Sequence, residues 1–392
     1  MFENKKILIW GFGREGQSTK HFLSRCANPE SVEVFEGKRE DIDADKYDII
    51  VKSPGIVLNE DNPKFTSQTE IFLQAHRDKV IGVTGTKGKS TTSSMLYHVL
   101  SKCLPEKKVI LLGNIGEPCL DYFDEIDDDT IVVFEMSCHQ LKHTSVSPHV
   151  AVFLNLYEEH LDYYKTFENY FEAKKHVTLY QSEEDYFFVG DEVPEFDTKA
   201  QKIIINWGQT PKYSLKVLGE HNNYNAYFVY KIATTVYNID GKKVEEALTS
   251  FEGLLHRLQY LGEVDGIDFY DDSISTIPNA AIKALESVEN AKTILIGGMD
   301  RGINYDVLID FINNHHEFNY IFSYDSGKRI FDSIKKSENC FYVPDLEGAV
   351  FLAKEITEKG QAVLLSPASA SYGYFKNFEQ RGEMFREYAG FQ

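Results

Sequence analysis

Short apolar runs separated by polar, helix-period segments recur along the whole chain: KKILIWG ahead of QSTKHFLSR, VIGVTG ahead of STTSSMLYHVL, and KTILIGG ahead of YDVLIDFINNHH. Runs of this length, rich in Ile, Val and Phe, read as strands buried on both faces, and the segments after them read as the helices that cover them. Repeated alternation of the two predicts an α/β fold built on parallel layers. No repeat of a solenoid period and no low-complexity tract interrupts it. Two seams break the pattern, HRDK at 76–79 and EGLLHRL at 252–258. They divide the chain into three expected domains, 1–78, 79–254 and 255–392, each of ordinary domain size.

Composition narrows the classes. The chain of 392 residues is 42% hydrophobic, yet no apolar run approaches the roughly 18 residues needed to cross a bilayer, so no membrane partner is expected. A formal net charge of -20 argues against nucleic acid and anionic lipid as partners, and means that an anionic substrate has to be met by local donors or metal ions. Five scattered cysteines, Cys26, Cys103, Cys119, Cys138 and Cys340, show neither paired nor metal-ligand spacing, which fits a reducing cytoplasm. The N-terminal KKILIW runs straight into a glycine turn and is too short for a signal-peptide core.

Candidate chemistry sits where strands end. ILIWGFGREGQS carries G-x-G-x-x-G at Gly11, Gly13 and Gly16, with Glu36 twenty residues beyond Gly16. Such a turn lets backbone and a helix N-terminus approach a diphosphate, giving a Rossmann-like first domain. The pattern does not distinguish NAD from a nucleotide sugar, and a bare strand-to-helix turn has the same form. VIGVTGTKGKSTT ends in Gly88, Lys89 and Ser90, the ammonium and hydroxyl of a P-loop that would meet nucleotide phosphates and a magnesium ion. Its spacing departs from the usual one, because Val83 stands where the first glycine belongs, flanked by Gly82 and Gly85. Glu135 and His160 follow two further apolar runs and become candidate magnesium-site residues, against the plainer reading as strand-end caps. Lys174 lies in a helical pattern whose plain reading is a solvated face. The last third offers Asp272, Thr276, Arg301 and Ser371 in three polar loops after strands. They suit a small carboxylate, or serve simply as caps and turns.

GVTGTKGKSTT, GNIGEP, FEMSCHQL, LNLYEEHLDYY, YFEAKK, EHNNYN and LLHRLQ occur in the order seen in the Mur ligases of peptidoglycan synthesis, which this chain resembles over essentially its whole length. The tail LLSPASASYGYFKNFEQRGEMF resembles their glutamate-adding branch. The resemblance implies three domains: a Rossmann-like one for the UDP sugar, a central P-loop ATPase-like one, and a Rossmann-like C-terminal one for glutamate. It implies that Gly13, Arg14, Glu15, Glu36 and the turn Ser53, Pro54 and Gly55 hold the UDP end, which displaces NAD, while Asn114 and Ser137 face the muramoyl part. ATP would lie on Gly85, Thr86, Lys87, Gly88, Lys89, Ser90 and Thr91, with Asn225 at the adenine and Arg257 and Asp272 contributed by the third domain. Lys89, Glu135, His160 and Lys174 would form the catalytic group. Magnesium would be held by Ser90, Glu135, His160 and a carbamylated Lys174. Thr276, Arg301, Ser371, Lys376 and Phe378 would take glutamate. A cytoplasmic monomer is expected, acting on UDP-N-acetylmuramoyl-L-alanine, glutamate and ATP.

One stretch departs from the family. Where its D-glutamate ligases read like DSKATN, this chain has DSISTIP, with Ile274, Ile277 and Pro278 at 274, 277 and 278. The loop leaves the hand of the glutamate open. Two readings from other classes, an NAD-dependent dehydrogenase and a non-catalytic nucleotide-binding regulator, are opposed by the phosphate loop and by the polar C-terminal loops respectively. A folate-type glutamate ligase is disfavoured by the N-terminal nucleotide turn.

Overall fold

The computed structural model describes residues 2–58, 60, 62–217 and 219–391. Its residues form two compact units, Met1–Leu215 with Glu220–Phe251, and Lys216–Gly219 with Glu252–Gln392. Among the described residues no helix is long and apolar enough to cross a membrane.

The first unit holds two sheets. Strands β1 (Lys6–Trp10), β2 (Ser31–Phe35), β3 (Ile49–Lys52) and β4 (Phe65–Thr66) form an all-parallel sheet in the order β2-β1-β3-β4. Strands β5 (Val80–Thr84), β6 (Lys108–Gly113), β7 (Thr130–Glu135), β8 (Val150–Phe153), β9 (Tyr186–Gly190) and β10 (Gln201–Ile205) form the second, also parallel, in the order β10-β9-β8-β5-β7-β6. Every residue of β5, β7 and β8 is buried, as expected of parallel strands covered on both faces. The two sheets share one core, in which Ile9, Phe22, Val51 and Phe72 join Leu112 and Phe134.

The second unit is a six-stranded sheet in the order β11-β12-β16-β13-β14-β15, from β11 (Gln259–Val264), β12 (Ile267–Asp271), β13 (Ala291–Ile296), β14 (Asn319–Phe322), β15 (Cys340–Tyr342) and β16 (Ala362–Leu365). Among the described residues of this sheet, only β11 runs antiparallel to its neighbour. Side chains alternate across it: Ile294, Ile296 and Leu364 enter one core, Leu295, Val363 and Leu365 the other. Each such side chain removed from water contributes about 1.5–3 kcal/mol. Parallel strands leave their C-terminal ends together at one edge, and the polar loops that follow gather there.

Candidate functional site

Strand β5 ends in buried Thr84, and the chain turns through Gly85–Gly88 into the helix Lys89–Cys103. Gly88 caps that helix at φ 83°, a left-handed conformation, and a Cβ there would stand 2.7 Å from Asn225 Oδ1. Only glycine lets the loop pass this asparagine. Asn155, just beyond β8, clamps the loop from the other side: its Oδ1 accepts from Lys87 N at 2.9 Å and its Nδ2 donates to Lys87 O at 3.1 Å. Thr86 Oγ1 accepts from Tyr157 N at 3.0 Å and meets Tyr170 Oη at 3.1 Å. Lys89 Nζ curls back to donate to Gly85 O and Thr86 O, each at 2.9 Å, and burial depresses its pKa. Ser90 and Thr91 are half-buried in the first helical turn. Fixed loop geometry, an ammonium and a helix N-terminus are the elements from which anion sites are built.

Two charged groups are buried beside it. Glu135 closes β7 between Val83 and Gly113 and is 0% exposed. Asn114 Nδ2 donates to its Oε1 at 2.7 Å, while its Oε2 is buried without a partner. Lys174, in the helix Phe167–Lys175, is 1% exposed rather than solvated, and Nζ donates to Gly85 O at 2.8 Å and Thr84 Oγ1 at 3.4 Å. Burial, then the nearby Lys89 ammonium, pushes its pKa down to about 7. His160 is exposed at φ 57°, its ring 5.1 Å from that of His139 and 6.0 Å from that of Tyr170. No group of three or more His, Cys, Asp or Glu gathers as a metal cage among the described residues. Magnesium is ordinarily held by one or two protein oxygens together with substrate phosphates and water. The orphaned Glu135 Oε2 beside the phosphate loop fits that arrangement.

At the N-terminal turn Ser53 Oγ donates to Gly11 O at 3.2 Å, bringing Ser53, Pro54 and Gly55 alongside it. Gly13 and Gly55 face open space. Arg14 is exposed and donates to Gly116 O, and Glu36 is exposed after β2. Glu15 behaves differently: it turns inward, where Gln140 Nε2 donates to its Oε1 at 2.9 Å and burial raises its pKa. Gln140 also accepts from Ser137 N at 2.9 Å, completing a capping box on the short helix Cys138–Leu141.

In the second unit Asp272, just past β12, is buried and accepts from Leu258 N, Ser275 Oγ and Ser366 Oγ. Desolvation outweighs those bonds and raises its pKa to about 6, with Arg257 opposing the shift. Arg257, Arg301 and Lys376 are exposed, Thr276 and Phe378 half-buried, and Ser371 buried. Sequence reasoning passed over Asn155, Gln140 and a buried pair in which His256 Nδ1 lies 2.6 Å from Asp271 Oδ2. Asn155 ends an apolar run in LNLY and carried the same strand-end signal as Glu135.

Comparison with known proteins matches residues 83–206 to the Mur ligase middle domain. The chain is 31% identical to UDP-N-acetylmuramoylalanine--D-glutamate ligase of Aquifex aeolicus, with 97% of this chain and 98% of that protein covered. It is 32% identical to the enzyme of that name from Streptococcus agalactiae serotype III, with 98% and 96% covered. Among solved structures it is similar to the MurF ligase of Thermotoga maritima in complex with ADP, at TM-score 0.59 and 18% identity over 99% of this chain and 96% of that one. It is similar too to the UDP-N-acetylmuramate-alanine ligase MurC of the same organism, at TM-score 0.58 and 20% identity, with 98% of each covered.

Proposed function

We propose, because this chain belongs to the Mur ligase family, that it is an ATP-dependent, ADP-forming ligase joining glutamate to UDP-N-acetylmuramoyl-L-alanine in peptidoglycan precursor synthesis. D-Glutamate is the leading substrate, as in the names of its relatives. The chain acts in the cytoplasm as a monomer, in three domains divided near residues 78 and 254. The observation that carries this reading is the meeting of Lys89 and Lys174 on Gly85 O, beside a Glu135 with one oxygen unpartnered.

The chemistry follows from the inertness of a carboxylate toward amines, since its leaving group would be oxide. Transfer of the γ-phosphoryl group of ATP to the alanyl carboxylate gives an acyl phosphate. The amine of glutamate then attacks the acyl carbon, a tetrahedral intermediate forms, and phosphate leaves. Lys89 neutralises charge on the transferring phosphoryl group, largely a task of positioning and electrostatics. Backbone N–H groups of Gly85 to Thr91 cradle phosphate oxygens, and Asn225 meets the adenine. Ser90, Glu135, His160 and Lys174 would hold magnesium, which supplies charge neutralisation at the phosphates. A carbamate on Lys174, formed with carbon dioxide, would turn a buried cation into an anion suited to that ion. Burial favours the neutral amine that such a reaction consumes.

Gly13, Arg14, Glu36 and Ser53 to Gly55 take the UDP end, with Asn114 and Ser137 toward the muramoyl part. Glu15 serves that turn from within, through Gln140. In the second unit Arg257 and Asp272 serve ATP, while Thr276, Arg301, Ser371, Lys376 and Phe378 receive glutamate. The deciding experiment measures ADP release with UDP-N-acetylmuramoyl-L-alanine, with and without glutamate. Glutamate-dependent release with formation of the amide is expected, and its absence refutes the ligase reading. A second reading, the same ligation with L-glutamate, is favoured by one observation: Ile274 and Ile277, the latter 53% exposed, occupy the loop of Thr276.

A further inference from the structure

Arg381 and Gly382 take no part in the roles assigned above, although both lie in the C-terminal stretch FEQRG. Arg381, in the helix Phe378–Ala389, is 1% exposed. Its Nε donates to Ser273 Oγ at 3.0 Å, one terminal nitrogen to Ser273 O at 2.7 Å, and the other to Ser369 O at 3.0 Å. All of these acceptors are carbonyl or hydroxyl oxygens. Removing a guanidinium from water is costly unless its N–H groups are met, and here the rigid fork meets them by spanning two loops. Ser273 lies beside Asp272 and ahead of Thr276, in the loop after β12. Ser369 lies two residues before Ser371, in the loop after β16. A third loop is attached: Met299 N donates to Ala370 O at 2.8 Å, and Ser326 Oγ lies within hydrogen-bond distance of both Gly298 O, at 2.9 Å, and Ser369 Oγ, at 2.8 Å. That loop continues to Arg301.

The helix itself is held at a fixed height. Ser273 Oγ donates to Phe378 O at 2.8 Å. A Cβ on Gly382 would stand 2.1 Å from His256 Nδ1 and 2.4 Å from Asp271 Oδ2, so the helix backbone lies directly on that buried pair.

We propose that Arg381 is a positioning residue for the amino-acid substrate, a buried strut that keeps the loops after β12 and β16 in register so that Thr276 and Ser371 face one carboxylate-bearing ligand. The inference rests on the reading of this unit as the glutamate receiver. Lysine in its place keeps the charge but ends in a single nitrogen, which cannot span Ser273 and Ser369 as the fork does. A small misplacement of groups that orient a substrate is enough to cost on the order of 10²-fold in rate.

The test uses the full chain, steady-state ADP release and the glutamate enantiomer that the wild type accepts. Arg381→Lys is expected to lower kcat/KM for glutamate by about 10²-fold. The KM values for ATP and the UDP substrate, and single-turnover ADP formation without glutamate, should stay within about twofold, because those steps need no amino-acid orientation. Ser273→Ala, which removes one of the three contacts, should move the same parameter by roughly tenfold. A folded Arg381→Lys protein with unchanged glutamate kinetics, or with equal losses for all substrates, overturns the proposal. Should that protein not fold, Ser273→Ala decides by the same criteria. A wild type that forms ADP but ligates neither enantiomer refutes instead the functional reading beneath the inference, and the inference with it.

Discussion

Asn114, the residue just past β6, and Glu135, the last residue of the adjacent β7, share a hydrogen bond, Nδ2 to Oε1 at 2.7 Å, that leaves the second carboxylate oxygen buried and unpartnered. The backbone repeats the link, with Asn114 N donating to Glu135 O at 3.0 Å. An amide that holds one oxygen orients the other. If that other oxygen meets magnesium, Asn114→Ala should raise the magnesium concentration for half-maximal activity roughly 10- to 100-fold, the usual cost of losing a group that orients a metal ligand. Titration of activity with magnesium at saturating ATP checks this, and an unchanged midpoint would leave Asn114 to the substrate alone.

Gly88 passes Asn225 so closely that any side chain collides, and its φ of 83° disfavours one in any case. Gly88→Ala therefore combines strain of about 1–3 kcal/mol with displacement of Asn225. ATP binding should weaken by at least about tenfold, as each 1.4 kcal/mol implies, while binding of the UDP substrate, proposed for the N-terminal glycine turn, persists. Calorimetry with each nucleotide separates the two, and equal loss of both would point to general unfolding.

Continuous apolar runs were enough to mark the buried central strands, such as VAVF and TIVVFE, whereas the less buried strands SVEVF and QKIII carry no such run and were not singled out. Strand ends likewise marked Glu135 and the loop around Asp272. What the sequence hid were matters of direction. Lys174 in YFEAKK looks like one more cation on a polar face, and only the packing of its helix against the phosphate loop buries it. Glu15 sits in a glycine turn expected to meet ligand, yet its side chain turns to Gln140, more than a hundred positions away. Arg381 is an arginine in an ordinary charged helix until the loops of Ser273 and Ser369 close around it. Such contacts are long-range, and no local pattern encodes them.

Lys174 is buried as a group whose ammonium form is disfavoured, with a pKa pushed down to about 7. Near neutral pH a large share is therefore the free amine, the form that attacks carbon dioxide: an N–C bond forms and a proton leaves to solvent. Lys174→Ala should lose about 10²-fold or more in kcat, the scale of one well-placed electrostatic group. Acetate or formate should restore part of it by supplying the missing anion. Full activity of the variant without additive would show that no carbamate is needed.

Asp272 gives a stability prediction with a definite sign. Below its unfolded pKa near 3.8 it is protonated in both states; as the pH rises the unfolded chain ionises first, because the folded pKa is about 6. Ionisation thus favours unfolding across that window, by about 3 kcal/mol in all, and no further above it. Relative to Asp272→Asn, the wild type should lose stability between pH 4 and 6 and hold a constant difference above. Urea unfolding followed by circular dichroism at low protein concentration measures it, and parallel curves would exclude the shift.

The hand of the glutamate turns on the loop from Asp272 to Pro278. Asp272 is anchored by Ser275, Ser366 and Leu258 N, so the start of the loop is fixed. Pro278 begins the next helix and holds Ile277 extended, at φ -131° and ψ 151°. Thr276 is therefore placed from both sides, but Ile274 and Ile277 in the same loop are apolar. An ammonium at 274 would have offered a second carboxylate a charge partner, and here that partner has to come from elsewhere in the unit. Enantiomers present one amine and two carboxylates in different arrangements, so the removal of one partner changes their difference in affinity without touching the chemistry of the acyl phosphate. Coupled ADP release with each pure enantiomer is the measurement. D-Glutamate is expected to turn over, as for relatives about 30% identical across the chain. Turnover with L-glutamate alone would reverse that choice and place the specificity in Ile274 and Ile277, which Ile274→Lys with Ile277→Asn should then shift back toward the D form.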